Sequence, residues 1–324
     1  MQEATVRLWK TLTLAIALSW IGTASAQSYP SKPIKILNGF PAGANTDTVA
    51  RFVAARLEER LGKPVIVENR PGASGTIAAA AVARSEPDGH TLLFAVAANL
   101  AVAPATMKAP PYDPATAFTA VIEIARGPYL WLVRSDAPAG TMKQFVAWAK
   151  ENPGKLNYAS PGIGSVHHLA TEMLKRSAGI EIVHVPYKGG LYPALLSGEV
   201  QALFETMPGP IPHLQAGKIR TLAVTGTRRL DALPDVPTFA EQGLADIDAN
   251  FWWGIVGPRG IPRAVVERLN AEIAIALRDP QLKATLAGWG VEPNPGTPEA
   301  FDLYINQQYA KWKGVVATTG LTID

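Results

Sequence analysis

The sequence predicts an α/β protein organised as two halves. Three observations carry that prediction. Short apolar runs alternate with longer segments of helical periodicity from residue 34 onward, prolines fall in the connections between them, and one plan of strand, small-residue loop and helix occurs twice, near 34–57 and near 156–174. Such alternation is the pattern of parallel βαβ units and not of a β-sandwich. The expectation is therefore two mostly parallel sheets, each flanked by helices.

Taken in order, the candidate strands are 34–37, 65–68, 91–95, 121–124, 130–133, 156–159, 182–185, 202–204, 221–224 and 251–256. Helical periodicity is clearest in Val49, Phe52, Val53 and Leu57, across 145–149, in Leu169, Met173 and Leu174, and across 265–277. Pro33, Pro64, Pro71, Pro87, Pro138, Pro153 and Pro186 punctuate the connections. The first residues read as an address. Arg7 and Lys10 precede an apolar run over 12–21, and Ala24-Ser25-Ala26 is a small-x-small cleavage site, so residues 1–26 are expected to be a signal peptide cleaved after Ala26. No later stretch reaches roughly 18 uninterrupted apolar residues, the length a membrane span needs.

Composition narrows the chemistry. The 324 residues include no cysteine, which removes disulfide staples, a lipid anchor on an N-terminal cysteine, a thiol nucleophile and a thiolate metal site. A formal net charge of +3, without a run of Lys and Arg, is too slight a bias for a nucleic-acid partner.

The repeated plan raises a question about its loops. "NGFPAGANTDTVAR", residues 38–51, places a loop poor in side chains at the mouth of a helix, and "YASPGIGSVHHLATEML", residues 158–174, does the same. The first N–H groups of a helix have no intrahelical acceptor and carry partial positive charge, so an anion is a natural occupant of such a mouth; a tight strand-to-helix turn is the plain alternative. Two halves that each present a bare helix N-terminus are able to close on one ligand.

At these residues the chain resembles the extracytoplasmic solute receptors of tripartite tricarboxylate transporters, the Bordetella uptake gene family. The resemblance runs from residue 29 almost to the C-terminus, through "YPSKPIKIL" (29–37), "FPAGANTD" (40–47), "GKPVIVENRPGASG" (62–75), "PDGHTLLF" (87–94), "GKLNYASPGIGSVHHLA" (154–170), "IVHVPYKG" (182–189), "LPDVPTFAEQGL" (233–244) and "GTPEAF" (296–301). It implies a two-domain type II periplasmic-binding-protein fold of the Venus-flytrap kind. Domain one would be 29–125 plus 250–324 and domain two 126–249, with hinge crossings near 126–130 and 245–251. It implies a monomeric periplasmic receptor without catalytic activity, cofactor or metal, which passes a small carboxylate to membrane permease subunits.

Carried over residue by residue, the resemblance assigns the ligand to Phe40, Ala42, Gly43, Ala44, Asn45, Thr46 and Asp47 of the first loop and to Gly162, Gly164, Ser165 and His168 of the second. Backbone donors would hold its carboxylate, each charge-assisted bond being worth about 1.5–3 kcal/mol. Three departures from the family pattern bear on specificity. Ala42 and Ala44 replace a Pro and a Gly, residues 190–200 carry a bulky Tyr192 in a shortened segment, and Glu205 stands where the family commonly has Asp. Glu205 is expected to point into the cleft and select what lies at the far end of the ligand.

Other residues admit two readings. Ser165 with His167 or His168 reads as nucleophile and base of a secreted hydrolase, but neighbours on one helix seldom supply that geometry. A receptor that signals to a membrane partner is a further alternative. His90, His184 and His213 are isolated in sequence, and Asp47 in a first helical turn serves equally to cap backbone donors. The run at 69–75 lacks the Lys-Ser/Thr of a nucleotide loop and reads as a structural turn. Of Trp252 and Trp253, the second is expected to be the core member.

Overall fold

The first strand, β1 (Ile34–Asn38), is apolar at Ile34, Ile36 and Leu37, all of them buried, and opens a six-stranded sheet. The structure is a computed structural model that describes residues 29–187, 191–207, 209–245 and 247–322. The expected signal peptide and its cleavage site lie outside the described residues. Every element below belongs to the unit that begins at Lys32.

The strands that follow are β2 (Val65–Asn69), β3 (Thr91–Val96), β4 (Phe118–Pro128), β5 (Leu130–Arg134), β6 (Asn157–Ser160), β7 (Val183–Pro186), β8 (Ala202–Glu205), β9 (Ile219–Val224), β10 (Asn250–Pro258) and β11 (Glu292–Pro293). The helices are α1 (Asn45–Leu61), α2 (Thr76–Ala83), a wide turn Ala98–Val102 running into α3 (Ala103–Thr106), α4 (Met142–Glu151), α5 (Val166–Ala178), α6 (Leu191–Ser197), α7 (Ile211–Gln215), α8 (Arg263–Ala276), α9 (Pro280–Gly288) and α10 (Pro298–Thr319). The first sheet has the order β11-β4-β10-β3-β1-β2 and the second the order β7-β6-β8-β5-β9.

Helices form where apolar residues recur at helical spacing. In α1, Val49, Ala50, Val53, Ala54 and Leu57 lie on one buried face, and Gly62 at φ +65° ends the helix by donating its N–H to Glu58 O. In α5, Leu169, Ala170 and Leu174 are buried, Ser165 caps the start and Gly179 at φ +60° closes the end. Each fully buried Leu or Val contributes about 1.5–3 kcal/mol relative to exposure. Within the second sheet, Trp131 of β5 packs edge-on against Phe145 of α4 at 5.3 Å and Phe204 of β8 at 4.7 Å.

The sheets are mixed, with less parallel pairing than the alternation of strands and helices predicts. Strand β10 runs antiparallel to β3 and β4, and β5 runs antiparallel to β8 and β9. The physical reason is chain path. Both strands enter their sheet from the other sheet and not through a crossover helix, so the rule that makes βαβ units parallel does not govern them. β4 and β10 are also longer than the predicted runs: β4 continues through the polar Thr119 and Arg126, and β10 takes in Asn250, Gly257 and Pro258.

Candidate functional site

The segments at the carboxyl ends of β1 and β3 in the first sheet and of β6 and β8 in the second border one cavity. In the first sheet, β1 lies between β2 and β3, and the loop after β1 and the turn after β3 leave side by side; in the second, β6 lies between β7 and β8, and the loop after β6 adjoins the end of β8. Open α/β sheets form ligand crevices at such switch points.

The first loop is held by Asp47. Its Oδ2 accepts from the Gly43 N–H at 2.9 Å and from Arg51 Nε at 3.0 Å, and its Oδ1 accepts from Asn69 Nδ2 at 2.8 Å. Asn69 Nδ2 also donates to Phe40 O at 3.0 Å. Burial works to raise the Asp47 carboxyl, but Arg51, the Gly43 amide and Asn69 outweigh it and hold the pKa below the ordinary carboxylate value. Asp47 is 4 % exposed, and its oxygens face the loop's own backbone. Gly43 takes φ +83°, which glycine adopts without strain. Ala44 precedes α1 and supplies no side-chain cap, which leaves the first N–H groups of the helix without an intrahelical or capping acceptor.

The second loop is held by Ser165 and His168. Ser165 Oγ donates to Gly162 O at 2.8 Å and accepts from His168 N at 3.3 Å. The Gly164 N–H donates to His168 Nδ1 at 3.1 Å. His168 is buried, and its ring stacks on that of His184 at 4.0 Å, so the histidine that stood isolated in sequence is paired in space. Ser160 Oγ meets His184 Nε2 at 2.5 Å. Burial lowers the pKa of both rings; for His184 burial and then the neighbouring His168 take it to about 4. Because the His168 ring turns Nδ1 to Gly164, Ser165 and His168 are not arranged as nucleophile and base.

Between the loops lies a cavity of about 330 Å³. Of the residues predicted to form the site, the structure brings Phe40, Ala44, Asn45, Thr46, Gly164 and Ser165 to its wall. Ala42, Gly43, Asp47, Gly162, His168 and Glu205 are not among its lining residues; Gly43, Asp47, Gly162 and His168 tie the two loops in place from behind. Val166 and His167, whose amides lie in the first turn of α5 beyond the reach of the Ser165 cap, also line the cavity. The remaining wall is largely apolar, with Val96, Ala97, Val102, Tyr129 and the aromatic run Phe251, Trp252 and Trp253.

Glu205 stands one layer back. Its Oε1 accepts from Thr206 N at 2.8 Å and lies 3.5 Å from His167 Nε2, and it is Thr206 and His167 that reach the cavity. Burial works to raise the Glu205 carboxyl, but His167 and the Thr206 N–H and hydroxyl hold it below the ordinary value. Tyr192 packs against the core of the second sheet and lies 4.9 Å from the His213 ring. Trp252, fully buried against Phe301, is the deeper of the tryptophan pair; Trp253 is 7 % exposed and meets Trp289 edge-on.

Ser74, Tyr129, His167 and Thr206 line the cavity although the resemblance assigns none of them to the ligand. Ser74 takes φ +56° in the run 69–75, a backbone conformation uncommon outside glycine and visible only in the fold. Among the described residues no group of three His, Cys, Asp or Glu side chains converges as a metal would require.

Comparison with known proteins agrees with this architecture. Residues 49–321 match the family described as tripartite tricarboxylate transporter family receptor. Protein BugT of Bordetella pertussis is 34 % identical over 319 residues, which cover 97 % of this chain and 98 % of BugT. Among solved structures, an R. palustris protein solved with adipate is 35 % identical with a TM-score of 0.80, over 91 % of this chain and 99 % of that one. The periplasmic binding protein BugD is 32 % identical with a TM-score of 0.78, over 91 % and 99 %. The fold is that of the two-domain periplasmic binding proteins.

Proposed function

The chain belongs to the tripartite tricarboxylate transporter receptor family, and from that premise we propose that it is a periplasmic receptor that takes up a small carboxylate between its two sheets and delivers it to the membrane subunits of a tripartite transporter. The observation that carries this reading is that the starts of α1, which has no side-chain cap, and of α5, whose Ser165 cap takes only the His168 amide, both border one cavity of about 330 Å³. Amides of Asn45 and Thr46 on one side and of Val166 and His167 on the other are the donors for the carboxylate. The apolar wall takes the body of the ligand, a mono- or dicarboxylate or an amino acid, and Glu205 acts on its far end through His167 and Thr206.

The two lobes in this reading are 29–125 with 250–324, and 126–249, closing about residues 126–130 and 245–251. Closure excludes water from the cavity and strengthens the bonds to the anion, and a ligand drives it by as much as it prefers the closed form. Titration calorimetry with adipate, malate, benzoate and glutamate tests the reading. At least one of these carboxylates binds, while the amide of the same acid does not; amides that bind as tightly as their acids would contradict it.

A further inference from the structure

Two stretches of chain join the sheets. On the outbound path β4 ends at Pro128 and β5 begins at Leu130, so that Tyr129 alone intervenes. On the return path β10 begins at Asn250, which pairs with Pro128. Thr225, the first residue after β9, is fully buried where these paths meet. Its N–H donates to Tyr129 O at 2.9 Å. Its Oγ1 accepts from the Tyr129 N–H at 2.8 Å and donates to Ala249 O. One hydroxyl thus fastens the outbound path, the return path and the end of β9 together.

The same point touches the cavity. The Tyr129 ring lines it and lies edge-on to His167 of α5 at 5.1 Å and to Phe251 of β10 at 6.3 Å, so it contacts elements of both sheets. On the other side a cleft of about 880 Å³, lined in part by Arg126, Pro128, Thr225, Gly226 and Asn250, leaves the paths room to move. A side chain that accepts one hydrogen bond and donates another at this size is Thr or Ser; Val has the shape of Thr and neither bond.

We propose that Thr225 is the pin of the hinge: its hydroxyl binds the two crossings into one joint, so that the lobes turn about a single axis through Tyr129, Thr225 and Ala249. The proposal rests on the reading of this chain as a receptor whose two lobes close. Without the hydroxyl, a buried N–H and a buried carbonyl lose their partner and the crossings flex separately. The lobes then sample a broader range of separations before any ligand arrives. Thr225 is a positioning residue and touches no ligand.

The absence of cysteine makes the test direct. Cysteines introduced at Ile66 of β2 and Val183 of β7, both well exposed, carry nitroxide labels on the two lobes. Pulsed electron-spin resonance on the ligand-free protein reads the distribution of distances between them. Thr225→Val broadens the distribution at least 1.5-fold, and Thr225→Ser restores the parent width. Ile36→Val, in the core of the first sheet, lowers the melting temperature without broadening it. A Thr225→Val distribution as narrow as the parent's overturns the proposal, as does equal broadening by Ile36→Val. Hydrogen exchange on the unsubstituted protein reads the same bond: the Tyr129 amide exchanges as slowly as the core amides of β5, and fast exchange overturns the proposal. None of these readouts needs a bound carboxylate, so they fail or succeed separately from the assignment of the ligand.

Discussion

The Gly164 amide donates to Nδ1 of His168, 3.1 Å away. The bond requires His168 neutral with its proton on Nε2, because a protonated ring would turn an N–H toward another N–H. It also takes the Gly164 amide out of the set available to a ligand, although Gly164 lines the cavity. The resemblance implies that amide and that ring as ligand contacts; in the structure they bond to each other.

Stability is therefore expected to depend on pH through the stacked pair His168 and His184. Both pKa values lie below the ordinary 6.5, with His184 near 4. Between those values the unfolded chain binds protons that the folded one refuses, so stability is fully present above about pH 6.5 and is lost as pH falls toward about 4. Urea denaturation across that window shows a loss on the order of 1 kcal/mol, discounted because the His184 ring is only partly buried. His184→Phe flattens the slope. A profile that is level down to pH 4 would show that neither ring resists protonation.

Gly164→Leu is expected to weaken binding of the carboxylate that titrates into the parent by about tenfold or more. Gly164 takes φ +73°, a conformation costly for other residues, and its new side chain would occupy the cavity wall. Calorimetry on the variant and parent decides it, and equal affinities would remove Gly164 from the site.

Asp47→Ala is expected to destabilise the protein by about 1.5–3 kcal/mol, since the Gly43 amide, Arg51 and Asn69 all lose an ionised acceptor. The first loop loosens with it, so binding of the carboxylate that titrates into the parent weakens in the same variant. Thermal melts and calorimetry check both halves; a loss of affinity with unchanged stability would mean that Asp47 meets the ligand itself.

His167→Ala is expected to weaken binding of that carboxylate by about tenfold, and Glu205→Gln to change it by less than about threefold. The first removes a ring from the cavity wall and from contact with Tyr129, while the second alters a group one layer back. The reverse order of effects would place the Glu205 carboxylate on the ligand.

The sequence carried the architecture well because periodicity, proline punctuation and capping residues such as Ser165 and Gly62 act locally. It carried strand direction poorly. The orientation of β5 and β10 depends on where the chain crosses between sheets, which no short window records. Half of the predicted site residues reach the cavity, and Gly43, Asp47, Gly162 and His168 hold the loops behind it. The pairing of His168 with His184 and the meeting of Tyr129 with Thr225 join residues far apart in sequence, so only the fold reveals them.

The central claim is that two helix starts grip one carboxylate. A crystal structure of the protein with the carboxylate that binds in calorimetry tests it most directly. A carboxylate oxygen is expected within about 3 Å of backbone amides in the first turns of both α1 and α5. A carboxylate held by lysine or arginine side chains, or bound away from the cavity lined by Thr46 and Ser165, would contradict it.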